Sequence, residues 1–319
     1  MRNIVTGATG FIGTALCREL LEHKETVIAV VRPGSVKREK LEHLIQEQEN
    51  YAEMLTIVEL DLDHLHELNK KYHIQADVFY HLAWNGSSGE ERDDFDIQYS
   101  NIKYTANAIK TAKACGCKKF VGAGSQAEYG VIHGVTKEDE TVPHPFMMYG
   151  AAKLAAYHMG RILAEQIGIT FVWPRIYSVY GIGENPGTLV NYVIETLRKG
   201  EVPELSTCEN MWNFMYITDC VRALRILGET KDAQGIYHVA SEDTRPLKEF
   251  VEEIRDIVAP DMKLGFGEKE SNPERAFWLE PSIGRLRNLD FKMRVNFVKG
   301  IAQKVGKDGV KHEDRTAEM

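Results

Sequence analysis

The chain predicts an α/β protein built on a doubly wound parallel sheet with a smaller, mixed C-terminal lobe. Three observations point there. Short β-branched runs alternate with longer helical patterns over residues 1–175, the rhythm of βαβ units. A glycine cluster stands between the first strand and the first helix. After about residue 180 the pattern breaks into loops with Gly and Pro, isolated helices and short strands.

Strands are expected at residues 3–5, 27–31, 55–58, 78–81, 119–123 and 170–173, each a short apolar run. Helices are expected at 12–23, 93–114 and 147–167, the last two with apolar residues at helical spacing. Beyond them come helices at 189–199 and 247–258 and strands near 214–217 and 237–239. A first domain over 1–175 and a smaller lobe over 176–305, interleaved with it, would leave 306–319 as a flexible tail, polar and almost without apolar anchors.

With 319 residues, 43% hydrophobic and 27% charged, the composition is that of a globular protein. A net charge of −8 supplies no basic footprint, so neither nucleic acid nor an anionic membrane is an expected partner. No apolar run reaches the roughly 18 residues of a membrane span, and the first strand opens at residue 3 with no targeting segment before it, so a cytoplasmic location is expected. Cys17, Cys115, Cys117, Cys208 and Cys220 lack paired spacing with histidines; Cys115-Gly-Cys117 reads as a helix end, and no metal is expected.

Thr6-Gly7-Ala8-Thr9-Gly10-Phe11-Ile12-Gly13 follows the first strand and opens the first helix, the context that gives a glycine cluster meaning. Gly7 and Gly10 let the backbone turn and approach a pyrophosphate. N–H groups at Thr9, Phe11 and Ile12 meet its charge, and Gly13 allows close packing. This is a Rossmann-type dinucleotide site. The second strand ends in Arg32-Pro33-Gly34-Ser35, without the acid that would bind a ribose 2′-hydroxyl. Arginine there favours a 2′-phosphate, so NADP(H) is expected, with NAD(H) the alternative. Ser35, Lys37 and Arg38 add donors there, unless Lys37 and Arg38 merely form the solvated start of the next helix. Asp61, beside Leu62, either meets an adenine edge or is a solvated carboxylate.

Tyr149-Gly-Ala-Ala-Lys153 puts a phenol and an ammonium on one helix face. Tyrosine titrates near pH ~10, too high for proton exchange at neutrality, unless the lysine cation and an oxidised nicotinamide favour tyrosinate. The 119–123 strand runs into Gly124-Ser125-Gln126-Ala127-Glu128, delivering Ser125 to the carboxyl edge, where a hydroxyl can hold a carbonyl.

Taken in this order, the residues resemble the extended short-chain dehydrogenase/reductase family of NAD(P)-dependent nucleotide-sugar epimerases, dehydratases and reductases. Further pieces agree: His81-Leu82-Ala83, Asn101-Ile102, Arg175, Tyr180-Gly181, Phe214-Met215-Tyr216-Ile217, and Leu289-Asp290-Phe291-Lys292 before Gly300-Ile301 as a last strand and helix. The resemblance implies an enzyme with Ser125, Tyr149 and Lys153 as the catalytic set, and Leu62, Leu82 and Ala83 lining the cofactor. Asn101 would be structural or a proton relay.

Departures narrow the reaction. Family dehydratases carry an Asp-Glu pair directly after the catalytic serine or threonine; Gln126 and Ala127 stand here. Ser178 replaces the asparagine usual in 4-epimerases, and Trp212 stands where an arginine usually precedes the Phe-Met-Tyr-Ile strand. The combination looks most like the reductases of the CDP-abequose and CDP-paratose synthase type. The expected activity is NADPH-dependent reduction of a nucleotide-linked 4-keto-6-deoxy sugar at C4, with a 4-epimerase holding NAD as the alternative. Trp84, Ser125, Gln126, Ser178 and Trp212 are the expected substrate contacts, though Trp212 serves equally as a core plug and His81 as a packed strand end. A dinucleotide sensor without chemistry would show a broken catalytic set, and this one is intact. Apolar residues on more than one face of the 93–114 and 147–167 helices imply a homodimer.

Overall fold

A computed structural model describes residues 1–270 and 277–316. In chain order the first half runs β1 (Arg2–Thr6), α1 (Phe11–Glu22), β2 (Thr26–Val31), α2 (Glu39–Glu47), α3 (Tyr51–Met54), β3 (Leu55–Glu59), α4 (Leu68–Tyr72), β4 (Val78–His81), α5 (Phe95–Ala114), β5 (Lys119–Gly122), β6 (Gly124–Ser125), α6 (Met148–Ile167) and β7 (Thr170–Ile176). The second half runs β8 (Ser178–Tyr180), α7 (Leu189–Arg198), β9 (Glu204–Leu205), β10 (Met211–Tyr216), α8 (Ile217–Glu229), β11 (Gly235–Val239), β12 (Thr244–Pro246), α9 (Leu247–Val258), β13 (Gly265–Phe266), α10 (Gly284–Arg287) and α11 (Phe297–Thr316).

The main sheet is parallel, in the order β11-β7-β5-β4-β1-β2-β3, with β6 added beside β7. Alternation along each strand sends neighbouring residues to opposite faces. Val5, Ala29, Tyr80, Val121 and Val172 enter one core with Leu16 and Leu20 of α1. Ile4, Ile28, Phe79, Phe120 and Phe171 enter the other with Ala108 and Ile109 of α5 and Ala156 of α6. Both faces are therefore covered, which is why these strands read as continuous apolar runs.

The smaller lobe holds a three-stranded sheet, β12-β10-β8, and the parallel pair β13-β9. Phe214, Phe250, Phe297 and Ile301 join the same core as α1, so the lobe grows out of the large domain.

The strand at 237–239, expected with the smaller lobe, is instead the edge strand β11, paired in parallel with β7. Its preceding helix α8 contacts α1. Lys119, at the start of β5, donates its Nζ to the carbonyls of Leu227 and Thr230 at the end of α8, a cation at a helix C-terminus. The expected last strand at 289–292 does not form. The Asp219 carboxylate accepts the N–H groups of Arg294 and Val295 just beyond it, holding the segment as a loop before α11. That helix, begun by the packed Phe297 and Ile301, carries the backbone to Thr316, through most of the stretch expected to be a tail.

Candidate active site

The order of the sheet reverses between β1 and β4, the switch point at whose carboxyl end ligands bind in open α/β sheets. Gly7 takes φ +70°, and a Cβ on it would lie 2.7 Å from the Ala83 nitrogen; a Cβ on Gly13 would lie 2.0 Å from the Gly7 carbonyl oxygen. Only glycine fits either place. Gly10 caps α1 without a side-chain hydrogen bond, and the first turn holds no acidic residue. The amides around Thr9, Phe11 and Ile12 thus meet no competing anion, and the cradle suits a pyrophosphate. Leu82, Ala83 and Trp84 form the opposite lip, where the Leu82 N–H donates to the Thr6 carbonyl.

At the end of β2 the Arg32 side chain is exposed and makes no ion pair or side-chain hydrogen bond among the described residues. Arg38 is committed, its guanidinium bonded to Glu42 at 2.8 Å and Glu59 at 2.6 Å. Ser35 begins a short helical turn as its N-cap, and Asp61 accepts the His64 N–H at 2.9 Å and faces its ring at 2.7 Å. That backbone N–H, followed by the ring, holds the Asp61 carboxyl below its usual range.

The chemistry-bearing groups converge at the carboxyl ends of the middle strands. Ser125 ends β6, registered against Ile176 of β7. Its hydroxyl accepts the Ala127 N–H at 3.1 Å, while Glu128 Oε1 accepts the Ser125 N–H at 2.8 Å, a capping box that fixes the serine. Tyr149 lies in the first turn of α6, near enough to the Ser125 hydroxyl for that hydroxyl to favour its ionised form. One turn on, Lys153 donates to the Ala123 carbonyl at 2.6 Å, and its Nζ lies 3.6 Å from the Trp84 ring centroid. Trp84 meets Tyr149 edge-on at 6.1 Å, and its indole N–H is held by Gln98 at 2.9 Å. Ser125, Tyr149, Lys153 and Trp84 thus lie together at the carboxyl edge.

At the Tyr149 phenol, burial and the neighbouring groups pull in opposite directions. Burial pushes the phenol up from its ordinary value, against the lowering by the Ser125 hydroxyl and the Arg92 charge. Lys153 is itself brought down to about 7 by burial, with Glu128 opposing.

His81 is a packed strand end. Its ring shares a 2.8 Å hydrogen bond with the Thr6 hydroxyl, and burial followed by the Lys153 charge brings it down to about 3. Asn101 is structural: its amide bonds both the N–H and the carbonyl of Asn85, pinning the loop after β4. Glu128 cannot stand in for a dehydratase acid, because its carboxylate is buried against Arg175 at 2.7 Å and Trp173 at 2.9 Å. Gln126 is half-buried, with an amide oxygen that finds no partner among the described residues. Ser178 sits on β8 in register with Phe214, and Trp212 packs between two apolar clusters, its indole N–H without a partner among the described residues. Arg92, on no recognised motif, also belongs to the site; only the path of the loop after β4 brings it there. Two open grooves, ≈ 690 and ≈ 670 Å³, lie at the opposite, amino ends of the strands and hold none of these groups.

Residues 3–240 match the NAD dependent epimerase/dehydratase family. An uncharacterized UDP-glucose epimerase of Bacillus subtilis (strain 168) is 25% identical over 292 residues, 88% of this chain and 90% of the relative. The CDP-abequose synthase of Salmonella muenchen is 23% identical over 304 residues, 93% of this chain and 94% of the relative. Among solved structures, a UDP-glucuronic acid 4-epimerase from Bacillus cereus in complex with NAD superposes with a TM-score of 0.79 at 22% identity, covering 95% of both chains. The family match, spanning the glycine cradle through β11, carries the conclusion: this chain belongs to the NAD dependent epimerase/dehydratase family and is an NAD(P)-dependent enzyme of the extended short-chain dehydrogenase type.

Proposed function

We propose that the enzyme reduces the C4 ketone of a nucleotide-linked 4-keto-6-deoxy sugar with NADPH. One observation carries this reading: an assembled Ser125, Tyr149 and Lys153 set stands beside Gln126 and Ala127, with Glu128 locked onto Arg175. Without a carboxyl pair next to the serine, no group is placed to expel a 6-hydroxyl as water. When bound, the nicotinamide supplies the hydride. Ser125 holds the ketone oxygen, Tyr149 gives the proton to the forming alkoxide, and Lys153 orients the nicotinamide ribose. Gly7, Thr9, Gly10, Phe11 and Ile12 hold the pyrophosphate, Asp61 and Leu62 meet the adenine, and Arg32 with Ser35 reads the 2′-phosphate. Leu82 and Ala83 border the nicotinamide half, while Trp84, Gln126, Ser178 and Trp212 line the sugar nucleotide.

Purified protein should consume NADPH when given a nucleotide-linked 4-keto-6-deoxyhexose. Tyr149→Phe should cost roughly 10²–10⁴ in rate, the usual worth of a general acid, while cofactor binding stays close to wild type. A variant that keeps its turnover removes Tyr149 from the mechanism. The similarity to UDP-sugar 4-epimerases supports a second reading, in which bound NAD takes and returns the hydride and Ser178 serves where epimerases use asparagine. We also propose a homodimer formed through α5 and α6.

A further inference from the structure

Arg92 lies outside every motif, yet its guanidinium carbon stands 4.6 Å over the centroid of the Tyr149 ring. Its Nε is buried without a partner among the described residues. The short helical turn that carries it, Glu90–Asp93, is fastened from two sides. Asp93 Oδ1 accepts the Met148 N–H at the start of α6 at 3.0 Å. On the other side Gln98 of α5 donates to the Glu91 carbonyl at 2.9 Å, and Asp94 caps α5 by accepting the Ile97 N–H at 2.9 Å. The guanidinium is thus placed by two helices.

We propose that Arg92 is a second cation of the active site, a positioning residue whose charge, stacked on the Tyr149 ring, stabilises the phenolate and fixes the ring's orientation. This rests on the reading of Tyr149 as the proton carrier. Every charged group facing the phenol enters the comparison. Lys153, on the same helix, has its Nζ 5.7 Å from the ring centroid, farther than the Arg92 guanidinium, donates to Ala123 and is lowered by burial. Glu128, from the turn after β6, opposes ionisation, but Arg175 compensates its charge at 2.7 Å. The Asp93 carboxylate is turned to the Met148 N–H. Ser125 and Trp84 are neutral. Arg92 alone keeps a full charge at any working pH, because a guanidinium does not deprotonate in proteins, and it acts on Tyr149 in the lowering direction.

The test titrates tyrosinate absorbance with the oxidised cofactor, NADP⁺ or NAD⁺, bound. Subtracting the Tyr149→Phe titration isolates the Tyr149 signal in each background. Arg92→Met and Arg92→Gln should each raise the midpoint by about one pH unit, a tenfold loss of phenolate at fixed pH, and Arg92→Lys should stay near wild type. A midpoint that is unmoved or lower in either neutral variant overturns the proposal. Turnover surviving in Tyr149→Phe would overturn the proposed proton carrier, whereas its loss with unmoved Arg92 midpoints removes only the role of Arg92.

Discussion

At the residue scale, the site holds its charges with unequal firmness. Arg92 is permanently cationic, Lys153 titrates near 7, and the Tyr149 phenol is pushed up by burial. Among the charges near the phenol, Arg92 acts in the lowering direction and Glu128 in the raising one. Arg32 is the residue whose freedom has the clearest consequence. Exposed at the end of β2 and unpaired among the described residues, it can turn toward a 2′-phosphate without breaking an ion pair there. Arg32→Asp should weaken NADPH by about 10- to 150-fold, corresponding to the ~1.5–3 kcal/mol of a charge-assisted contact, with a far smaller effect on NADH; titrating both cofactors checks it. Equal losses would place the adenosine pocket elsewhere. Ser125, Tyr149 and Lys153 were legible because local spacing puts each at a strand or helix end. His81 and Asn101 were ambiguous because burial and hydrogen bonding, invisible in a linear chain, decide between packing and chemistry. Arg92 was missed because its position depends on the path of the loop after β4.

Among the elements, the turn after β6 is held by a buried ion pair, Glu128 with Arg175. Glu128 accepts from Ser125, Trp173 and Arg175 at once, so it ties β6, β7 and the serine into one rigid unit. Arg175→Met should leave the Glu128 carboxylate buried without its cation and destabilise the fold by about 3–5 kcal/mol in denaturant unfolding. It should also lower turnover by releasing Ser125. A loss under about 1 kcal/mol would mean that the carboxylate is solvated or protonated at no cost. The strands of the first half were readable because both of their faces are buried and their apolar runs are continuous. β11 was placed in the wrong lobe because its pairing with β7 is set by the crossover through α8, a long-range choice that periodicity does not encode. The missing strand at 289–292 has the same cause: Asp219, far away in sequence, takes up the backbone N–H groups of Arg294 and Val295 beside it.

For the whole molecule, two cores on the faces of one sheet make a rigid platform whose carboxyl edge presents cradle and catalytic set together. The helices α5 and α6 pack on each other, yet leave Phe95 62%, Tyr99 63%, Met159 59% and Ile162 48% exposed. Such exposure of large apolar side chains fits a surface covered by a second copy. Sedimentation at micromolar concentration should give a dimer, and replacing Tyr99 and Met159 by Glu should yield monomers; a monomeric wild type contradicts it. The central claim, net hydride delivery to a sugar ketone, is tested most directly with NADPH deuterated at nicotinamide C4. Incubation with a nucleotide-linked 4-keto-6-deoxyhexose should place the label at C4 of the sugar, with one cofactor oxidised per product formed. Interconversion of two nucleotide hexoses, with no cofactor consumed and no label transferred, would contradict the account.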